Sequence, residues 1–159
     1  MAEKGAPRIL VSGSPMAVPN WKLHAITEGS GATIVGEESC VGERNFRSLL
    51  DDSFSSMENA MQKIADRYMT INCACFTPNN ERLTDIEELA KKLKADGIIH
   101  YAIQFCTPYM IEAYNVKKRA DKIGVPFLRI ETDYSMEDMG QLKTRVEAFL
   151  EMIGKGVKA

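Results

Sequence analysis

Four cysteines are the residues of this 159-residue chain best suited to chemistry. Cys73 and Cys75 form a Cys-x-Cys pair, while Cys40 and Cys106 stand alone. Thiolate sulfur is a soft ligand that prefers iron–sulfur clusters, zinc or copper(I) to hard cations. Structural zinc sites usually have two pairs with two to four intervening residues, which this spacing matches poorly. An iron–sulfur cluster accepts more scattered cysteines, and burial as apolar side chains is the third alternative.

A polar group, Glu131, Asp133 and Tyr134, follows the last apolar run of the chain. These side chains are suited to hydrogen-bonding a cofactor or a partner. The alternative is a turn in which Asp133 or Ser135 caps the helix that follows.

Other polar residues give weaker signals. Four arginines could bind anions, although most arginines are solvated at the surface. His100 lies inside an apolar run, where packing in the core is the expectation. The Ser-Gly-Ser-Pro segment at residues 12–15 lacks both a Gly-x-Gly-x-x-Gly pattern and a P-loop lysine, and therefore predicts a structural turn. The four arginines are Arg44, Arg47, Arg82 and Arg145.

Short apolar runs alternate with longer amphipathic stretches, the pattern of an α/β protein. Parallel strands with right-handed crossovers follow from this alternation. We predict a small doubly wound, flavodoxin-like sheet of four parallel strands in the order 2-1-3-4, with a helical insertion after the second strand. The apolar runs are residues 8–12, 32–36, 97–105 and 125–130.

Helical periodicity and capping signals define the intervening elements. Helices are predicted from about residue 20 to Gly29 and over 56–69, and a last helix is stopped by Gly154 and Gly156. Thr84 with Glu87 has the spacing of a capping box. Thr107 before Pro108 predicts the N-cap of a helix that ends near residue 124.

The cysteines are expected to converge at one edge of this sheet. Ligands of open α/β sheets bind outside the carboxyl ends of the strands. Cys40 follows the second strand and Cys106 the third, while Cys73 and Cys75 lie in the long insertion and could fold back over the same edge. Cys106 also precedes a helix start, where the positive end of the dipole favours a thiolate.

Composition excludes several classes of protein. The net charge of −2 argues against a nucleic-acid binder, which would show a basic face. No apolar run approaches the length of about 18 residues that a membrane span requires. The first residues lack the apolar segment of a secretion signal. We therefore expect one cytoplasmic domain over residues 1–159, with neither nucleic acid nor membrane as a partner.

Five segments of the chain resemble the 2-hydroxyacyl-CoA dehydratase and benzoyl-CoA reductase family. The resemblance is to the C-terminal domain of its D-component-like subunits and extends from about Pro7 to Ile153. The Cys-x-Cys before Pro-Asn looks closest to the double-cubane cluster branch. The segments are ESCVGER (38–44), NCACFTPN (72–79), FCTPY (105–109), IETDYS (130–135) and GQLKTRVEAF (140–149).

This resemblance implies iron–sulfur chemistry. Subunits of the family hold a [4Fe–4S] or double-cubane cluster between two α/β domains and receive electrons from an ATP-hydrolysing iron–sulfur activator protein. Dehydratases of the family pass one electron to a 2-hydroxyacyl-CoA thioester, and the resulting ketyl radical expels the hydroxyl. Related members reduce an aromatic ring or another small molecule at low potential. Cys106 matches a cluster ligand best, Cys40 and Cys75 follow, and Cys73 matches least.

The resemblance also implies a missing part. Family subunits have a further N-terminal domain with more cluster cysteines, so another domain or a partner subunit is expected to complete the site. We expect the chain alone to hold a cluster poorly, to lack activity, and to form a homodimer through the open edge. The alternatives are a non-catalytic zinc or interaction module without a cluster, and a flavodoxin-like carrier of FMN.

Overall fold

The computed structural model describes residues 5–76 and 78–156. Its four strands form one parallel sheet in the order β2-β1-β3-β4, which confirms the predicted flavodoxin-like topology. The strands are β1 (Arg8–Gly13), β2 (Thr33–Glu38), β3 (Gly97–Ile103) and β4 (Phe127–Thr132).

Helices cover both faces of the sheet. The apolar stripes of α1 and α6 pack on one face, where Leu23 and Val146 are fully buried. Those of α4 and α5 pack on the other, where Ile86 and Val116 are buried. No helix in the described ranges is long and apolar enough to cross a membrane. The helices are α1 (Lys22–Gly29), α2 (Glu43–Phe46), α3 (Met57–Met69), α4 (Asn80–Lys92), α5 (Thr107–Ile123) and α6 (Met139–Gly156).

Two helices begin earlier than their capping signals predict. The N-cap of α4 is Asn79, whose side-chain oxygen accepts a hydrogen bond from the Arg82 N–H at 3.1 Å. Thr84 therefore lies inside the helix, where its hydroxyl donates to the Asn80 carbonyl, and the predicted capping box is wrong. The N-cap of α5 is Cys106, one residue before the predicted Thr107.

Two strands and the last helix end later than predicted. The β1–β2 ladder continues to the pair Ser12–Glu38, so Glu38 belongs to β2. The β3–β4 ladder continues to Ile103–Thr132, which places Glu131 within β4 instead of after it. Helix α6 extends through Gly154, because Ile153 and Phe149 pack against the sheet up to that point.

The segment between β2 and α4 forms the expected helical insertion, with the short helix α2 as an element that the sequence pattern did not predict. Helix α3 begins at an N-cap, Ser56, whose hydroxyl accepts from the Asn59 N–H at 3.1 Å. None of the residues of α3 is buried. Its apolar side chains share one face at helical spacing and are exposed: Met57, Met61, Ile64 and Tyr68.

Candidate functional site

The four cysteines lie on loops and a helix start at the carboxyl edge of the sheet. Cys40 follows β2, Cys73 and Cys75 lie in the loop before α4, and Cys106 stands at the N-cap position of α5. All four thiols are free; Cys40 and Cys75 are exposed, and Cys73 and Cys106 are half-buried.

The thiols are close enough to alter one another's protonation. Burial acts to raise the pKa of Cys73, but hydrogen bonds from Cys75, the positive charge of Arg44 and a hydrogen bond with Cys40 lower it below its ordinary value. The pKa of Cys75 is raised by its hydrogen bond to Cys73 and by negative charge on that sulfur, and further by Cys106 and Cys40. All three of the other cysteines therefore affect the pKa of Cys75.

These thiols do not form the compact ligand set of a single ion. Among residues 5–76 and 78–156, no three His, Cys, Asp or Glu side chains are grouped so as to hold one metal ion. Four ligands of one zinc surround the metal at about 2.3 Å. In an iron–sulfur cluster the four thiolates bind different iron atoms of a larger body, so their sulfurs need not meet at one point. The donor set, four soft sulfurs at neighbouring positions, fits the second arrangement better.

Arg44 connects three parts of the thiol-bearing edge. Its side chain is buried and lies 2.7 Å from Glu38 Oε1, an ion pair in which Nε–H is not aligned for a hydrogen bond. It donates to the Asn72 carbonyl at 2.6 Å and to the Tyr109 hydroxyl at 2.7 Å. One guanidinium thus holds the end of β2, the cysteine loop and the first turn of α5.

Arg82 is a second buried arginine that pairs with the same glutamate, Glu38. Its guanidinium donates to Glu38 Oε2 at 2.8 Å and to the Ser12 hydroxyl at 3.1 Å, and it also pairs with Glu112. Ser12 donates to Glu38 at 2.7 Å. Burial raises the pKa of Glu38, an effect that Arg82, Arg44 and Ser12 oppose. The two arginines and two glutamates balance in charge, which a buried ionic group requires.

The burial of these arginines corrects the sequence analysis, which treated them as solvated. Arg82 has no exposed surface and Arg44 is 5% exposed. A signal for Arg82 was available, because it lies four residues before Ile86 and seven before Leu89 on the buried stripe of α4. Arg47 is half-exposed and pairs with Asp85 and Glu88. Arg145 is exposed and donates to the Arg129 carbonyl.

His100 supports the same region from below. Its fully buried ring confirms the predicted place in the core. Nε2 lies 3.0 Å from the Tyr109 carbonyl, which can only accept, so Nε2 carries the proton and donates it. Nδ1 has no hydrogen-bond partner in the described part of the chain. Burial lowers the pKa of His100 to about 4, so the ring is neutral at pH 7.

The loop that carries Cys73 and Cys75 is held by its backbone. Asn79 donates to the Cys73 carbonyl at 2.6 Å while its side-chain oxygen caps α4. Ala74, between the two cysteines, is buried against Ala102 and Tyr109. The Asn79 side chain, which also caps α4, and the packing of one methyl group therefore hold the backbone that carries both cysteines. A cleft of about 360 Å³ opens beside Cys75, between the starts of α4 and α5.

The second predicted polar group lies at the β4 end of the same edge. Glu131 pairs with Arg129 at 3.1 Å. Asp133 accepts from the Ser135 N–H at 2.7 Å, and it lies 3.9 Å from Lys22 Nζ. Tyr134 is 57% exposed. The polar contacts described for Glu131 and Asp133 are with these residues and not with cysteines.

The fold and the site define a doubly wound α/β protein with free thiols at the carboxyl edge of its sheet. Comparison with known sequences identifies the family. Residues 1–153 match the family described as 2-hydroxyglutaryl-CoA dehydratase, D-component. The chain belongs to this family.

Three curated relatives agree with that assignment. The chain is 33% identical over 148 residues to the putative dehydratase subunit YjiM of Escherichia coli K12, covering 92% of this chain and 38% of the relative. It is 31% identical over 131 residues to the beta subunit of (R)-phenyllactyl-CoA dehydratase from Clostridium sporogenes, covering 82% and 34%. It is 28% identical over 151 residues to the beta subunit of (R)-2-hydroxyglutaryl-CoA dehydratase from Acidaminococcus fermentans, covering 92% and 38%. The chain thus spans little more than a third of the length of each of these relatives.

Proposed function

We propose that this chain is the cluster-binding part of a 2-hydroxyacyl-CoA dehydratase or a related reductase, and that it delivers low-potential electrons to an acyl-CoA or another small substrate. Cys40, Cys73, Cys75 and Cys106 are the proposed ligands of a [4Fe–4S] or double-cubane cluster. The observation that carries the proposal is the neighbourhood of four thiols at one sheet edge, three of which alter the pKa of Cys75.

The charges around the thiols support this assignment. Metal ligation requires thiolates, and positive charge nearby stabilises them. Arg44 lowers the pKa of Cys73, and its own guanidinium is held by Glu38, so the charge cannot move away. A bound cluster would supply one-electron chemistry. The residues of this chain would hold it, balance its charge and shield one side of it from water.

A zinc-binding or interaction module is the alternative class of function. The spacing of the cysteines and their failure to group around one point in the described ranges both weigh against a single zinc ion. The reconstitution experiment described below tests the cluster proposal and this alternative together.

The partners follow from the proposed chemistry. The relatives are named as dehydratase subunits, and this chain spans about a third of each. A further domain or partner subunit would cover the other side of the cluster, and an ATP-hydrolysing iron–sulfur activator in the cytoplasm would supply electrons. Without that domain or subunit, two copies of the chain would meet through the open thiol-bearing edge. Glu131, Asp133 and Tyr134 would hydrogen-bond the cofactor or the partner at the β4 end.

Anaerobic reconstitution with excess iron(II) and sulfide tests the proposal. We expect an EPR signal after reduction and thiolate-to-iron absorption, measured before removal of excess iron and compared with a protein-free mixture of iron and sulfide. Loss of the colour on desalting is expected, because half of the site is open in the isolated chain. A sample that shows no EPR signal and no absorption beyond those of a protein-free mixture of iron and sulfide contradicts the proposal, and tight binding of one zinc would then favour the alternative.

Single cysteine variants show which thiols are ligands. Replacement of Cys106 by Ala is expected to lower the cluster yield severalfold, and so are the same changes at Cys40 and Cys75, because each removes one thiolate. Met136→Ala is the matched control, since it removes an exposed sulfur-bearing side chain beyond β4. Equal yields in the cysteine variants and this control would remove the proposed ligand set.

A further inference from the structure

The hydroxyl of Tyr109 lies between a fixed positive charge and a cysteine sulfur. Tyr109 is in the first turn of α5 and is 4% exposed. Its oxygen is 2.7 Å from Arg44 Nη2 and 3.9 Å from Cys40 Sγ.

The direction of the Arg44–Tyr109 hydrogen bond follows from a count of donors, and in the Tyr109–Cys40 contact only the hydroxyl can donate once Cys40 is a thiolate ligand, which has no proton. A guanidinium has five N–H donors and no acceptor, so the Tyr109 oxygen must accept from Arg44. The hydroxyl proton therefore points elsewhere. In the described part of the chain, Cys40 Sγ is the other polar atom within reach of this hydroxyl. A phenol keeps its proton at neutral pH, so this hydroxyl has a hydrogen to donate.

Three sets of contacts hold Tyr109 in this position, one at its backbone and two at its ring. His100 donates to the Tyr109 carbonyl at 3.0 Å. The Arg82 guanidinium lies over the ring at 5.1 Å from its centre. Ala74 and Ala102 pack against the ring in the same small apolar cluster. The phenol oxygen therefore cannot move away from Cys40 without breaking buried contacts.

We infer that Tyr109 is a positioning residue that donates an O–H···S hydrogen bond to Cys40, with its orientation set by Arg44, and that this bond raises the reduction potential of the bound cluster. Hydrogen bonds to cysteine sulfurs withdraw electron density and are one of the terms that set the potential of an iron–sulfur cluster. This inference rests on the proposed cluster with Cys40 as a ligand.

The test compares Tyr109→Phe with Tyr114→Phe by redox titration followed by EPR, in the full chain under cluster-forming conditions. Both variants remove one hydroxyl from α5, but Tyr114 is 63% exposed. We expect a more negative midpoint potential for Tyr109→Phe and no shift for Tyr114→Phe. A purely structural role of Tyr109 would change stability without shifting the potential.

The outcomes separate this inference from the proposed function. Equal potentials for wild type and Tyr109→Phe overturn the inference and leave the cluster proposal intact. A Tyr109→Phe protein that is folded by circular dichroism but forms no cluster also overturns it, because the hydroxyl then serves assembly. Failure of the wild type to form any cluster overturns the proposed function, and the inference falls with it.

A second measurement serves if Tyr109→Phe does not fold. Biosynthetic replacement of tyrosine by 3-fluorotyrosine makes each phenol a stronger donor. The potential is then expected to shift in the opposite direction, to a less negative value, in the wild type and equally in Tyr114→Phe. An unchanged potential in the fluorinated proteins overturns the inference.

Discussion

Two polar groups lie along the carboxyl edge of this sheet and differ in what supports them. The thiol side, Cys40, Cys73, Cys75 and Cys106, rests on buried charges. On the acidic side, Glu131, Asp133 and Tyr134, the shortest ion pair is the partly solvated pair Glu131–Arg129, while Asp133 lies 3.9 Å from the buried Lys22. Arg82 beneath the thiol side has no solvent-accessible surface, whereas the Arg129 side chain that pairs with Glu131 is 46% exposed.

The difference shows which side can hold its groups in place. An exposed ion pair is screened by water and contributes little to stability. A buried pair contributes little net stability over an apolar pair, but the loss of one partner is costly, so the geometry is enforced. The side chains beneath the thiols are therefore held more rigidly than the Glu131–Arg129 pair, which can rearrange when a cofactor or partner approaches.

The largest expected effect on stability is that of Arg82→Met, on the thiol side. The variant leaves Glu38 and Glu112 buried and without their shared cation. We expect the free energy of unfolding, measured by urea denaturation, to fall by about 3–5 kcal/mol. Arg129→Met is the matched control, with an expected change within about 0.5 kcal/mol. Similar losses in the two variants would show that burial does not distinguish the two sides.

The pH dependence of stability sharpens the comparison at His100. The folded-state pKa of about 4 lies below the unfolded value of 6.5, so the unfolded chain binds an additional proton between these limits. The contribution of neutral His100 is complete above about pH 6.5 and decreases as the pH falls toward 4, by about 3 kcal/mol in total. His100→Gln should remove this part of the slope. Parallel pH profiles of wild type and variant between pH 4 and 7 would contradict the assignment.

The smallest effect is expected on the acidic side, for Glu131→Gln. The Glu131–Arg129 pair at 3.1 Å is partly solvated on both sides, so its loss should change the free energy of unfolding by no more than about 0.5 kcal/mol. Arg129→Gln should give a similarly small change. A loss above about 1 kcal/mol in either variant would show that the acidic side is also rigidly held.

The sheet and its thiol-bearing edge could be predicted because both follow from local patterns. Four apolar runs separated by helical periodicity determine a parallel sheet, and parallel strands bring Cys40 and Cys106 to one edge. The placement of Cys73 and Cys75 needed the additional hypothesis that the insertion folds back over that edge.

The charge network under the thiols could not be predicted in the same way. Arg44 and Glu38 are buried because β2, the cysteine loop and α5 meet around them, and this meeting is not encoded in either residue's neighbours. Arg82 and Glu112 do lie on the buried stripes of α4 and α5. From the sequence alone, a charged residue on such a stripe interrupts the apolar pattern. Its burial becomes understandable only when its partner on the other helix is known.

Helix α3 has a consequence for how this family's sequences are compared. Because none of its residues is buried in this chain, internal packing places little volume constraint on Met57, Met61, Ile64 or Tyr68. Substitutions at these four positions are therefore expected to leave the packing of the sheet unchanged. If they are nonetheless retained as apolar residues in full-length subunits, selection there records contact with the remainder of the subunit or with a neighbouring one.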